Sequence, residues 1–258
     1  MAPRTSHHPA KRERGVALFV VIVFVMLSML LALWAARTAL FNELVVGNDA
    51  DYQRAFEAAQ ALLQDAELDI RGEKADGSVC TPPSPDPSGG KICRFTTVQF
   101  PLEAKDIGPL LGGLSSVAPI TKCQDGVCAK RADKQDFWNN HDAAKGPTLE
   151  QMTPVTGTPV GARYGQYTGA TNTTAGGPLN PILVDTSAAD RGGWYWIEVL
   201  PYDESSKNSG LVPDSPPNLL PLNLTPNVVY RITALAYGRK PSTLVVLQQT
   251  YAQQKLKD

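Results

Sequence analysis

Apolar positions are spread unevenly along the 258 residues. From Val16 to Ala36 no side chain is charged, and Ser28 is the only polar one. About 21 residues at a rise of 1.5 Å each span roughly 30 Å, the thickness of a bilayer's hydrocarbon core. The run exceeds the roughly 7 to 15 apolar residues of a cleaved secretory signal, and Trp34 is too bulky for small-x-small cleavage after Ala36. Beyond it the apolar residues become periodic. Leu40, Phe41, Leu44 and Val45 lead on to Tyr52, Ala55, Phe56, Ala59, Leu62, Leu63, Ala66 and Ile70 at steps of three and four, which predicts one stripe on a helix. Glu43, Asp51, Arg54, Glu57, Gln60, Gln64, Asp65 and Glu67 fall on the opposite, polar face. Gly47 and Asn48 interrupt the stripe and predict a bend or loosening, and Gly72 predicts the stop. A continuous helix from Val16 to Arg71 would be about 84 Å long. One small domain cannot bury that length, so its first half must lie in lipid or against other helices.

After Gly72 the helical period is lost. Strand-like runs occupy Arg94 to Phe100, Gly193 to Pro201, Val228 to Tyr237 and Ser242 to Tyr251. The segment WYWIEVL alternates as a half-exposed strand would, and the last two runs, joined by GRKP, read as an antiparallel hairpin. A helix followed by an antiparallel sheet with long loops predicts an α+β fold, with the amphipathic helix covering one sheet face. The expected divisions are a basic leader (1–15), a transmembrane half-helix (16–36), an amphipathic half-helix (37–72) and a globular domain (73–258).

Composition sharpens this in two places. The formal net charge is -1, yet Arg4, Lys11, Arg12 and Arg14, against Glu13 alone, precede Val16. A basic tail beside an apolar helix predicts that the tail stays cytoplasmic, and the acidic remainder gives no nucleic-acid footprint. The four cysteines, Cys80, Cys93, Cys123 and Cys128, all lie beyond the apolar run. If that run carries them out of the cytoplasm, an even count favours two disulfides. Three pairings are possible; Cys80 with Cys93 and Cys123 with Cys128 are favoured because each closes a short loop. Zinc is disfavoured, since neither spacing is CxxC and His141 is the only histidine beyond the leader. Asp125, Asp133 and Asp136 lack EF-hand spacing and read as solvated loop acids. The loop CTPPSPDPSGGKIC reads as exposed, and the series Gly157, Gly161, Gly165 and Gly169 as a surface loop. Trp138, Trp194 and Trp196 read as core or sheet-face residues rather than a binding platform. No GxSxG, HExxH, phosphate loop or dinucleotide fingerprint is present, so no enzyme, cofactor or metal is expected.

A short basic leader ending in Gly15, an apolar helix that begins at once, and an amphipathic continuation resemble a prepilin signal. The stretch from Gly15 to Glu67, above all AFEAAQALLQDAE, is similar to the PilX-type minor pilins of type IVa pili. The segment VVYRITALAYGRKPSTLVVLQQTYA is a weaker echo of that family's closing strands, and little between Gly72 and Asn227 adds to the match. The resemblance implies cleavage between Gly15 and Val16 by a prepilin peptidase, with methylation of the new N-terminus. It implies a single-pass inner-membrane protein, N-terminus cytoplasmic and domain periplasmic, that later enters the pilus. It assigns helix-to-helix assembly to apolar side chains, here Val20, Leu27, Leu31, Phe41, Leu44 and Phe56. Other minor pilins, the major pilin and a tip adhesin are the implied partners, in twitching motility and adhesion. Most pilins carry a glutamate five residues into the mature chain, where this one has Val20. Without it no charge pair forms with the N-terminal amine of a subunit ahead, which suits a tip or initiating position. The alternatives are a K-like pseudopilin of type II secretion, whose usual helical insertion is not evident here, and a signal-anchored periplasmic binding protein.

Overall fold

The computed structural model describes residues 14–81, 92–95, 97–154, 156–171, 179–202, 224 and 227–253. The leader up to Glu13, residues 82–91 of the proline-rich loop, and Thr96 within the first expected strand lie outside the described residues. Contacts divide the chain into two units, 1–50 and 51–258.

Helix α1 covers Arg14–Arg71 without interruption at Gly47 and Asn48, where a bend was expected. Glycine there forgoes about 1 kcal/mol of helix propensity, a local cost that long helical flanks absorb. The helix ends as expected at Gly72, whose positive φ of 67° lets its N–H reach the Asp69 carbonyl at 3.1 Å while the Glu73 N–H reaches that of Leu68 at 2.9 Å.

Within the second unit the sheet has six strands: β1 (Cys123–Gln124), β2 (Val127–Ala129), β3 (Ala162–Arg163), β4 (Gly193–Pro201), β5 (Val228–Tyr237) and β6 (Leu244–Tyr251). The order is β1-β2-β4-β5-β6, with β3 also paired to β4. Three expected runs are strands, and β5 and β6 form the expected antiparallel hairpin, with Tyr237 opposite Leu244. The sheet is mixed rather than purely antiparallel, because β2 runs parallel to β4, with Val127 opposite Ile197. Arg94 to Phe100 is not a strand; its described residues are bends and irregular chain. Arg94 turns inward to a buried acid and Phe100 packs edge-on to Tyr230 at 5.6 Å, so side chains rather than a ladder fix this segment.

A helix unforeseen in the sequence, α2 (Ala104–Val117), follows. Gly108, Pro109, Gly112 and Gly113 hid it, but the Glu103 N–H donates to the Asp106 carboxylate at 3.0 Å at its start, and Leu114 anchors it in the core.

Strand β4 is buried over its first seven residues, not half-exposed. Tyr195, Ile197 and Val199 face the α1 side, joining Ala55, Ala59, Leu62 and Ala66 in one core cluster. Trp194 and Trp196 face the other side with Phe137, Met152 and the Cys123–Cys128 disulfide. Both tryptophans are thus core residues, with indole N–H groups donating to the Ala189 and Met152 carbonyls; Trp138 packs partly buried beside them. A chain covered on both faces needs no polar alternation. Of the glycine series only Gly157 is exposed; Gly161, Gly165 and Gly169 are buried. Gly161 runs under the tryptophans, where an added Cβ would lie 2.8 Å from the Trp196 Nε1.

The helix approaches the sheet closely because both surfaces are small. Ala55, Ala58, Ala59 and Ala66 are fully buried, and Gly193 faces Leu62 and Leu183. A Cβ at Gly193 would overlap the Leu62 methyl and come within 2.7 Å of the Leu183 Cδ2. Gly193→Ala is therefore expected to lower the unfolding free energy of the full chain by about 1–3 kcal/mol. Chemical denaturation that finds it neutral would show that this contact relaxes freely.

Candidate functional site: the apolar helix and its seat

In the first unit α1 is apolar and unburied. Its candidate membrane span has a mean hydropathy of 3.2 over its most apolar window, none of which is buried within the chain. The two hydroxyls near it are satisfied inside the helix: Ser28 Oγ donates to the Val25 carbonyl and Thr38 Oγ1 to that of Trp34, both at 2.9 Å. Such internal pairing lets a hydroxyl sit in hydrocarbon at little cost. Gly15 and Val16 lie in the first turn of α1. Val20, Leu27, Leu31, Phe41 and Leu44 are all exposed, from 43% at Val20 to 66% at Leu31 and Phe41. Phe56 stands apart from these: it packs, partly buried, on the core of the second unit.

From Asp51 to Arg71 the helix is seated on the sheet, and three aspartates fasten it. Asp51 accepts from the backbone N–H groups of Arg239 (2.9 Å) and Lys240 (3.0 Å) at the β5–β6 turn. Burial would raise its carboxyl pKa, but the Thr243 hydroxyl and the Lys240 and Arg239 amides outweigh it and hold the group below the usual range. Asp65 accepts from the Gly165 N–H at 2.7 Å and from the Thr168 hydroxyl. One turn on, Asp69 takes both arms of Arg94, Nε at 2.7 Å and Nη2 at 2.6 Å, and the Tyr195 hydroxyl at 2.8 Å. Arg94 in turn lies over the Tyr167 ring at 3.6 Å and donates to the Val98 carbonyl. Burial alone would make its guanidinium easier to deprotonate; the Asp69 carboxylate overrides this and raises its pKa.

Asp51 and Asp65 are therefore corrections: both are only 2% exposed, though the helical pattern put them on the polar face. Asp51 precedes Ala55 by four residues, and Asp69 follows Leu62 by seven and Ala66 by three, so these acids stand on the apolar stripe itself, where a carboxylate needs a partner. Asp125, read as solvated, is also buried, in the β1–β2 turn with a positive φ of 53°. Asp133 and Asp136 instead make contacts with Arg131 and Lys134.

The cysteines pair as Cys80–Cys93 and Cys123–Cys128, which removes them as zinc ligands. Among the described residues no three His, Cys, Asp or Glu side chains stand together as a metal site.

Two family models match the chain. The PilX N-terminal domain covers residues 14–64, and the type IV pilus assembly protein PilX C-terminal domain covers residues 124–253. The chain belongs to the PilX family of type IV pilus assembly proteins. No curated protein and no solved structure matches it. The C-terminal match reaches far into the region before Asn227 that added little to the resemblance, and takes in β2 to β4 as well as the closing hairpin. The PilX N-terminal match ends at Gln64, just before Asp65 and Asp69.

Asp65 gives this PilX-family domain a pH dependence. Burial, opposed by the Thr168 and Gly165 hydrogen bonds and reinforced by the Asp69 charge, pushes its pKa from 3.8 up to about 7. A carboxyl raised in the folded state favours folding when protonated. Its contribution is complete below about pH 4 and is lost as pH rises through about 7. The melting temperature of the full chain should accordingly fall between about pH 4 and pH 7, and Asp65→Asn should flatten that slope. Equal slopes in the two proteins would assign the effect to other groups.

Proposed function

We propose that this chain is a minor pilin of the priming or tip complex that initiates type IV pilus assembly. The carrying observation is a helix of two characters: an apolar, unburied stretch that starts at Gly15–Val16, continued by a stretch locked to a folded domain. The family match supports pilus assembly over a type II secretion pseudopilin or a signal-anchored binding protein.

In this reading a prepilin peptidase cleaves Gly15–Val16 on the cytoplasmic side and the new N-terminus is methylated, with the domain in the periplasm. The apolar segment anchors the protein in the inner membrane and then exchanges lipid for other pilin helices. With no hydrophobic gain between lipid and protein, close packing of side chains such as Val20, Leu27, Leu31, Phe41 and Leu44 supplies the attraction. Phe56 contributes by holding the helix to its own domain. Val20 in place of the usual glutamate spares the chain an unpaired carboxylate in hydrocarbon when no subunit lies ahead of it. Other minor pilins, the major pilin and a tip adhesin are the partners in this scheme.

Mass spectrometry of the membrane-extracted protein tests the processing step. A methylated Val16 at the N-terminus is expected, and an intact Met1 or a start at Arg37 would overturn it. The tip position has its own test in Val20→Glu, which should permit attachment behind another subunit and reduce surface piliation. Unchanged piliation would make the missing glutamate incidental.

A further inference from the structure

Asp69 and Arg94 are a buried pair whose two members are held in place very differently. Asp69 is fixed by α1, two residues before the helix ends, and its side chain is 2% exposed. Arg94, 6% exposed, sits in irregular chain, next to Cys93, whose backbone has a positive φ of 68°. On the N-terminal side of Arg94, two contacts of Cys93 tie that chain down. The Cys93 N–H donates to the Tyr167 carbonyl at 2.8 Å, and the Cys93 sulfur is joined to Cys80. Cys80 is itself close to the helix end: its N–H donates to the Gly72 carbonyl at 2.8 Å, and a Glu73–Val79 bridge closes the intervening turn. The path from Asp69 through Gly72, Cys80, the disulfide and Cys93 to Arg94 thus returns to Asp69 through the ion pair.

We infer that the Cys80–Cys93 disulfide is a redox latch on the seat of the helix: it presents Arg94 to Asp69, so the last turns of α1 dock fully only after the bond has formed. The physical reason is the cost of a lone buried carboxylate. Among the described residues, Arg94 is the one cation paired with Asp69, and the acid's other contact is the neutral Tyr195 hydroxyl. Asp65, one turn away, adds a second acid and no compensation. With the disulfide open, the chain before Arg94 keeps the Cys93–Tyr167 backbone hydrogen bond, while Arg94's own side-chain contacts and the packing of Phe100 on Tyr230 hold the chain from Arg94 onward. Holding it against Asp69 then costs the ordering entropy of the segment. Closing the latch converts two thiols to one disulfide, passing two electrons and two protons to an external thiol–disulfide oxidant; an external dithiol reverses it. The Cys123–Cys128 bond spans a hairpin on the other sheet face and serves as the internal control.

The test is hydrogen exchange on the full-length protein in detergent, read at backbone amides 65–71. Opening the bond with Cys80→Ser and Cys93→Ser together should speed exchange there by about tenfold or more, since one decade corresponds to 1.4 kcal/mol. The same opening in an Asp69→Asn background should change it by less than about threefold, because the neutral amide no longer needs Arg94. Cys123→Ser with Cys128→Ser should leave these amides within about twofold of the parent. An equal acceleration with and without Asp69→Asn would overturn the proposal, since the disulfide would then act only by restricting the unfolded chain. If the double serine variant fails to fold, recovery on adding Asp69→Asn supports the latch, and failure of both variants overturns it.

Discussion

The burial of carboxylates on the helix is the constraint around which this domain is organised. An aspartate on the apolar stripe of α1 cannot be left unpaired once Leu62 and Ala66 are buried, so the rest of the chain has to bring donors to it. It does so from three directions. The β5–β6 turn supplies amides to Asp51, the 165–168 segment supplies an amide and a hydroxyl to Asp65, and the chain after Cys93 supplies a guanidinium to Asp69. These segments are far apart in sequence and have no reason of their own to converge. Apolar burial gives the helix its adhesion to the sheet without specifying a rotation or a register. The carboxylates specify both, because each of the three acids meets its own set of donors.

The sheet divides the work between its faces. One face receives the helix through alanines and Gly193, where closeness matters more than volume. The other receives the long connection after β2, where Phe137 and Met152 fill the space above Trp194 and Trp196. Strand β4 belongs to both cores, and this explains its aromatic richness: it needs bulk on one side and fit on the other. The short strands β2 and β3 lie in succession along its one edge, while β5 takes the other over nine paired residues.

The parts of this fold that were legible from sequence are those set by local periodicity. The helix from Val16 to Arg71, its stop at Gly72 and strands β4, β5 and β6 follow from steps of three, four and two, which report on the chain's own geometry. The helix α2 was missed because glycine and proline carry weight as breakers, and tertiary packing through Leu114 outweighed them. Arg94 to Phe100 failed for the converse reason: its residues suit a strand, but among the described residues no strand pairs with it, and Asp69 claims its arginine. The acids at 51 and 65 were misassigned because a helical wheel sorts by residue type. A buried aspartate becomes visible only when its position on the stripe is taken more seriously than its charge. The donors, from Gly165, Thr168, Arg239 and Lys240, could not be found that way, since sequence separations of 100 residues and more stand between them and the helix.

The placement of the tryptophans across the sheet has an optical consequence. Trp138, Trp194 and Trp196 all belong to the face away from the helix, while Tyr195, Tyr167 and Tyr230 belong to the helix face. The indoles of the domain therefore report on the far core rather than directly on the helix seat. Trp34, in the apolar segment, is 71% exposed and senses whatever solvent surrounds that helix, lipid, detergent or protein. Trp34 and the domain tryptophans thus report on different surroundings, and among the described residues the seat of the helix on the sheet carries tyrosines but no tryptophan.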